Sequence, residues 1–298
     1  MSREQIRQIV KSRVGSNGML ESGIKGIKFF CMSEPVQCAP ALYEPSVVII
    51  LNGTKEAILD GERVEFGQHN YLCCTMPMPI ESGTPSASAE NPFMGVYISL
   101  DTNVMTELAI AMESAAGVPR LQSAGGHPQG VLLSRWDESF TQALLNLLQL
   151  GNNKADLAIL ANGRLRELYY TILKGEAGIP ARRAFGVGNE ISRSIEYLSA
   201  NLNQAVTIED MADQVGMSRA VFHKKFKQAT SMSPIQFVKS MRLNRAATNI
   251  AGGMSVNLAA MDVGYVSSSQ FSREFKRMYG LSPKQWSQTG PVHQGVMV

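Results

Sequence analysis

The sequence predicts an α+β chain, with a β-barrel or sandwich in its N-terminal half, helices behind it, and an all-helical C-terminal unit. Three observations carry this. Residues 24 to 100 run as short apolar stretches broken by turn formers, Val131 onward switches to helical spacing, and the last third contains an internal duplication.

The length of 298 residues suits two domains of ordinary size. With 44% hydrophobic and 18% charged residues the chain can bury a core, which excludes a disordered protein. Its longest apolar stretch, Ser46 to Leu51, falls far short of the roughly 20 residues of a membrane-spanning helix. Met1 to Lys11 is charged and has no apolar core of a signal peptide, so a cytoplasmic, membrane-free location is expected.

In the N-terminal half, Asn52-Gly53 and Asp60-Gly61 read as hairpin turns between Ser46–Leu51, Ala57–Leu59 and the residues that follow. Tyr71–Thr75 and Phe93–Leu100 add strands on either side of a Pro/Ser-rich stretch from Pro77 to Pro92. From Val131 the period becomes helical. Trp136, Phe140, Leu144, Leu147 and Leu148 form one amphipathic stripe, and Leu157, Leu160, Leu165, Leu168 and Ile172 a second. These faces suit a dimer interface as well as they suit packing on the barrel. Gly175 to Gly188 lacks periodicity and reads as the linker. The expected divisions are 1–174 for the barrel unit, 175–189 for the linker, 190–290 for the helical unit and 291–298 for a tail.

Charge divides at the same place. Residues 1–181 carry 14 Lys+Arg against 18 Asp+Glu, whereas residues 182–298 carry 14 against 7. A basic folded unit is the footprint of a polyanion binder.

That unit is duplicated. Met211-Ala212-Asp213-Gln214-Val215-Gly216 is echoed by Ala259-Ala260-Met261-Asp262-Val263-Gly264; Phe222 and Phe226 are echoed by Phe271 and Phe275, and Ser233-Pro234 by Ser282-Pro283. Each copy reads as a helix-turn-helix, with Gly216 or Gly264 at the turn. Ser218 caps the second helix of the first copy, and Ser267 or Ser268 that of the second. Phe222 and Phe226 would face inward, leaving Ala220, His223, Lys224 and Lys227 outward. In the second copy Gln270, Arg273, Glu274 and Arg277 would share the outer face. Arg, Lys, Gln and His are side chains able to read base edges or hold phosphates in a major groove. A helix of about 17 residues from Pro234, roughly 25 Å long, could hold the two reading helices about one DNA turn apart.

These residues resemble the AraC/XylS family of bacterial transcription regulators. The resemblance covers about Ile191 to Trp286, through Arg242-Leu243, Ala246, Gly264-Tyr265, Ser267, Phe271, Arg273, Phe275-Lys276, Gly280, Ser282-Pro283 and Trp286. It implies double-stranded promoter DNA and RNA polymerase as partners, and activation of transcription as the usual outcome. Its base-facing positions fall on Ala220, His223 and Lys224 and on Ser268, Ser269, Gln270 and Arg273; Arg219, Lys227 and Arg277 complete the expected DNA-binding set. Copy two departs in its first helix, Asn257 to Met261, where isoleucines are usual. More loosely, Glu44-Pro45, Asn52-Gly53 with Lys55, Gly61, Gly67 with Tyr71-Leu72, Pro77, Pro79 and Asn91-Pro92-Phe93 are similar to the sensory domain of one subgroup. That implies a cupin-like barrel that takes a small-molecule effector or pairs two subunits.

No metal or cofactor is expected, since the barrel half offers only His69 and His127, fewer than such sites need. Cys31, Cys38, Cys73 and Cys74 match no zinc spacing and no disulfide framework; a redox or electrophile response through them is weighed against their service as small buried hydrophobes. The nucleotide-binding and hydrolase motifs are missing. The expected function is a sequence-specific transcription regulator, not an enzyme, controlled by a small-molecule or redox signal at the barrel. The alternative is a cupin-like carrier or enzyme fused to a DNA-binding module.

Overall fold

The computed structural model describes residues 2–15, 17–59, 62–115, 129–186, 189–204 and 207–288. Among these residues ten strands form two antiparallel sheets. The larger takes the order β1 (Gly18–Glu21), β2 (Ile27–Met32), β9 (Phe93–Ser99), β4 (Ser46–Asn52), β7 (Asn70–Cys74), β10 (Val131–Arg135). The smaller takes the order β3 (Val36–Tyr43), β8 (Met78–Thr84), β5 (Thr54–Leu59), β6 (Glu62–Gly67).

The larger sheet is covered on both faces, and β4 shows why its sequence is continuously apolar. Val47, Ile49 and Leu51 pack on the helices, while Val48 and Ile50 pack into the barrel. Cys73 and Cys74 divide in the same way, one to each core. The helical side consists of α1 (Ser2–Arg13), α2 (Thr102–Ser114), α3 (Glu138–Gln149), α4 (Lys154–Lys174) and α5 (Gly178–Phe185). Tyr71 of β7 stacks on Phe140 of α3 with ring centroids 4.4 Å apart.

Several expectations change. Asn52-Gly53 is not a hairpin: β4 and β5 lie in different sheets. Gly53, at φ 76°, turns the chain across the barrel edge, and a Cβ there would sit 3.1 Å from the Phe93 Cα. A sharp reversal needs the same glycine whichever sheet it leads to. The second signal is a true hairpin, because Leu59 pairs with Glu62 around Asp60-Gly61, which itself lies outside the described residues. The Pro/Ser-rich stretch contains β8. Its Pro79 pairs only with Leu42 of β3, since the ladder to β5 begins at Glu81, so the missing N–H breaks no central pairing. Val131–Arg135 starts the expected helical region yet forms an edge strand on β7. The expected linker contains α5, whose Ala181 and Phe185 enter the helical core. Arg182 is buried there with α2, its Nη1 3.2 Å from Glu113 Oε1.

The remaining elements are α6 (Glu190–Ala200), α7 (Ile208–Gln214), α8 (Arg219–Thr230), α9 (Pro234–Ala251), α10 (Val256–Asp262), α11 (Ser268–Tyr279) and α12 (Pro283–Trp286). No helix among the described residues is long and apolar enough to cross a membrane.

Candidate nucleic-acid interface

The two copies build the same turn from the same backbone bonds. Met217 N–H donates to Ala212 O at 3.0 Å, and Tyr265 N–H donates to Ala260 O at 2.9 Å. The glycine amides bond three residues back, Gly216 to Asp213 O and Gly264 to Met261 O. Both glycines have positive φ, 65° and 81°, and at Gly264 a Cβ would also meet the Leu202 and Asn203 backbone at 3.0 to 3.2 Å. Beyond the turns, Ser218 accepts from Val221 N–H to cap α8, and Ser267 rather than Ser268 caps α11 by accepting from Gln270 N–H. Matching capping boxes, Ser233 with Gln236 and Ser282 with Gln285, start the helices that follow.

Phenylalanines hold each second helix down. Phe222 and Phe226 are fully buried, Phe226 meeting Phe237 of α9 edge-on at 5.1 Å. Phe271 and Phe275 do the same in the second copy, where Phe275 meets Trp286 at 6.0 Å. Burying these rings turns the other face outward. Arg219, Ala220, His223, Lys224, Lys225 and Lys227 of α8 are exposed, as are Ser268, Ser269, Gln270, Arg273 and Arg277 of α11.

Three of these side chains have other engagements. Arg219 pairs with Glu209 of α7 at 2.6 Å. Gln270 donates to Glu274 at 3.3 Å. Arg277 lines a cleft of about 660 Å³ between the helical unit and the barrel, opposite Pro40, Ile80 and Glu81. Glu274 itself, expected on the outer face, is turned inward. It accepts from Tyr265 Oη at 2.8 Å and from Lys239 Nζ of α9 at 3.0 Å, and those bonds hold its carboxyl below the usual glutamate range although desolvation opposes them. A basic partner one helix away, which spacing within α11 does not reveal, explains the miss.

Helix α9 fixes the two copies relative to each other. At 18 residues it is about 27 Å long. Its Phe237 and Met241 enter the cluster that the first copy shares with the barrel, and its Leu243, Ala246, Ala247 and Ile250 enter the second copy's core. Arg242 donates to Leu202 O and Gln204 O, and Trp286 Nε1 donates to Ala247 O.

The thiols sit in surroundings opposite to those of a thiolate sensor. Cys73 is buried and its thiol is pushed up to about 12; burial also raises Cys74 and, less fully buried, Cys31. Cys38 is raised by burial and by the neighbouring Glu56 carboxylate, 3.7 Å from its sulfur. All four are free. Among the described residues no group of three His, Cys, Asp or Glu could hold a metal ion. His69 belongs to the described residues, and His127 lies outside them.

Residues 23–179 match the model of the AraC-type transcriptional regulator N-terminus, more than half of the chain. The chain belongs to the AraC-type transcriptional regulators. Residues 211–289 match a helix-turn-helix domain, which covers both α8 and α11. Family membership makes the protein a DNA-binding transcription regulator rather than an enzyme. Among curated relatives, the transcriptional activator RhaS of Escherichia fergusonii is 25% identical over 198 residues, 62% of this chain and 67% of that protein. The lactose operon transcription activator of Staphylococcus xylosus is 23% identical over 49% of this chain and 55% of its own length. An uncharacterized helix-turn-helix regulator of Haemophilus influenzae is 41% identical over 80 residues, only 27% of its length. The fold as a whole is similar to that of ToxT from Vibrio cholerae, in a structure bound to (E)-4-(8-methylnaphthalen-1-yl)but-3-enoic acid. The TM-score is 0.60 at 12% identity, covering 89% of this chain and 99% of that one.

Proposed function

We propose that this regulator activates transcription from promoters that it reads with α8 and α11, under the control of a small molecule received by the barrel. The observation that carries the reading is the pair of exposed polar faces, Ala220, His223, Lys224 and Lys227 on one helix and Ser268, Ser269, Gln270 and Arg273 on the other, locked to a single connecting helix. Lysines would hold phosphates and supply salt-dependent affinity, whereas His223, Gln270 and Arg273 would meet base edges. Arg219 and Arg277 are peripheral members, one tied to Glu209 and the other facing the cleft.

Activation is supported by the printed roles of two relatives, both transcription activators. A small-molecule signal is supported by ToxT, which has been seen bound to an unsaturated fatty acid as well as to the naphthyl-butenoic acid. The raised thiols favour such a signal over a redox one. A route for the signal is at hand, because α9 packs on β3 and β8, and Gly130 beside β10 donates its N–H to Ala229 O at the end of α8 at 2.8 Å.

Genome-wide footprinting of the full-length protein on its own chromosome tests this. A discrete set of promoter sites, lost together in a His223→Ala/Arg273→Ala variant, is expected. Diffuse binding that follows salt alone and ignores both substitutions would overturn it.

A further inference from the structure

The two helix-turn-helix copies differ by one residue between the turn glycine and the first buried phenylalanine, and the backbone bonds show which residue is extra. Met217 N–H donates to Ala212 O as Tyr265 N–H donates to Ala260 O, so Met217 and Tyr265 hold the same place in the turn. The caps Ser218 and Ser267 correspond as well, each four residues before its phenylalanine, Phe222 or Phe271. In the first copy Met217 leads straight into its cap, whereas in the second Val266 stands between Tyr265 and Ser267. The two corresponding residues are occupied. Met217 packs on the apolar cluster around Phe222, and Tyr265 meets Phe271 edge-on with ring centres 5.2 Å apart while its hydroxyl donates to Glu274. The inserted Val266 is 104% exposed, more than any other large hydrophobic among the described residues. Scattered exposed hydrophobics are ordinary on a protein surface; this one is set apart by its place at the N-terminal end of α11.

We propose that Val266 reads the 5-methyl group of a thymine in the stretch of major groove that α11 enters. This deepens the proposal that α11 contacts promoter DNA, and rests on it. In a helix-turn-helix the residues at the N-terminal end of the second helix are the ones that reach base edges. Val266 directly precedes the Ser267 cap, and the exposed Ser268, Ser269 and Gln270 follow it. Serine and glutamine exchange hydrogen bonds with bases, but the thymine methyl is recognised only by an apolar surface. Between Gly264 and Phe271 the one exposed apolar side chain is Val266. A β-branched side chain presents two methyl groups in few rotamers, so contact costs it little conformational freedom. It carries no charge, so its contact adds base preference without adding to the salt dependence that phosphate contacts create. The first copy, without the inserted residue, has no side chain at this place.

The test pairs a base change with a side-chain change, on the full-length protein and its most strongly occupied promoter site. The α11 segment is the one in which Arg273→Ala removes base preference. Each thymine in it, on both strands, is replaced in turn by uracil, which lacks only the methyl group, and affinity is measured by fluorescence anisotropy. One replacement should weaken binding about fourfold, the worth of one buried methyl group. Val266→Ala should weaken the thymine site by a similar factor, leave the salt slope unchanged, and add no further loss on that uracil site. Its melting temperature should match that of the unaltered protein, because the side chain touches no core. Losses that multiply, to about sixteenfold when both changes are made, would overturn the inference. So would a segment in which no change of thymine to uracil matters. A Val266→Ala protein that binds DNA as before but activates transcription less would also overturn it, since the side chain would then face a protein. With a discrete promoter site in hand, any of these results sinks the inference alone; failure to find such a site on unaltered DNA sinks the proposal for α11 and the inference with it.

Discussion

The two helix-turn-helix copies share a turn, a pair of phenylalanines and a cap, yet they are anchored differently. The first copy has no core of its own: Phe222, Phe226 and Phe237 belong to one apolar cluster with barrel residues such as Phe30, Val48 and Met78. The second has a separate core, Leu243 to Ile250 closed by Phe271, Phe275 and Trp286. A duplicated sequence has thus produced one helix-turn-helix continuous with the barrel core and one that keeps a separate core on α9. A change in the barrel reaches the first copy through a shared core, and reaches the second through α9 and a smaller contact of α11 on β3.

The largest effects should separate the two. Phe226→Ala, which opens a cavity in the shared cluster, should cost about 3–5 kcal/mol, and hydrogen exchange should show barrel strands and α8 loosening together. Phe275→Ala should cost a similar amount locally and leave barrel protection unchanged. Loosening of β4 and β7 by Phe275→Ala would erase the distinction.

A pH effect sharpens it. Lys55 of β5 is buried, which lowers its amine in the folded protein from the ordinary value near 10.5 to about 7, so between those values the unfolded chain binds the extra proton. Stability should therefore rise from about pH 7 to pH 10 and be lost as pH falls back toward 7. Melting curves should show this slope in the unit that contains the barrel and first copy, and Lys55→Met should flatten it. An equal slope in the second copy's own unfolding would count against separate anchoring.

The smallest test uses the ends of α8 and α11. Both finish in the left-handed region, α11 at Gly280 with φ 73° but α8 at Ser231 with φ 61°. Ser231→Gly should relieve the side-chain penalty and stabilise by about 0.5–1 kcal/mol, with Gly280→Ser costing a similar amount.

Legibility in the sequence follows the same divide. The helical unit was readable because caps, turns and inward phenylalanines are local signals repeated at nearly constant spacing. Only Glu274 escaped, because its partner Lys239 sits 35 residues away. The barrel was readable in class, but β8 hid behind prolines whose missing N–H groups fall outside the central ladder. The short strand β10 was absorbed into the helical pattern after it. Helix α5 escaped because its stripe is short and contains a buried arginine whose Nη1 pairs with Glu113 of α2. Lys55 carried one usable signal, its alternation with Ala57 on the apolar face of a strand.

The central claim is that both copies read DNA, each in its own stretch of groove. The most direct measurement is base-interference footprinting on the most strongly occupied promoter site, with Lys224→Ala and Arg273→Ala compared with the unaltered protein. Two protected major-groove segments about one helical turn apart are predicted. Arg273→Ala should abolish base preference in one of them at about 1–3 kcal/mol, while Lys224→Ala should weaken all sequences evenly and lower the salt slope by about 1. A single protected segment, untouched by one of the two substitutions, would contradict the account.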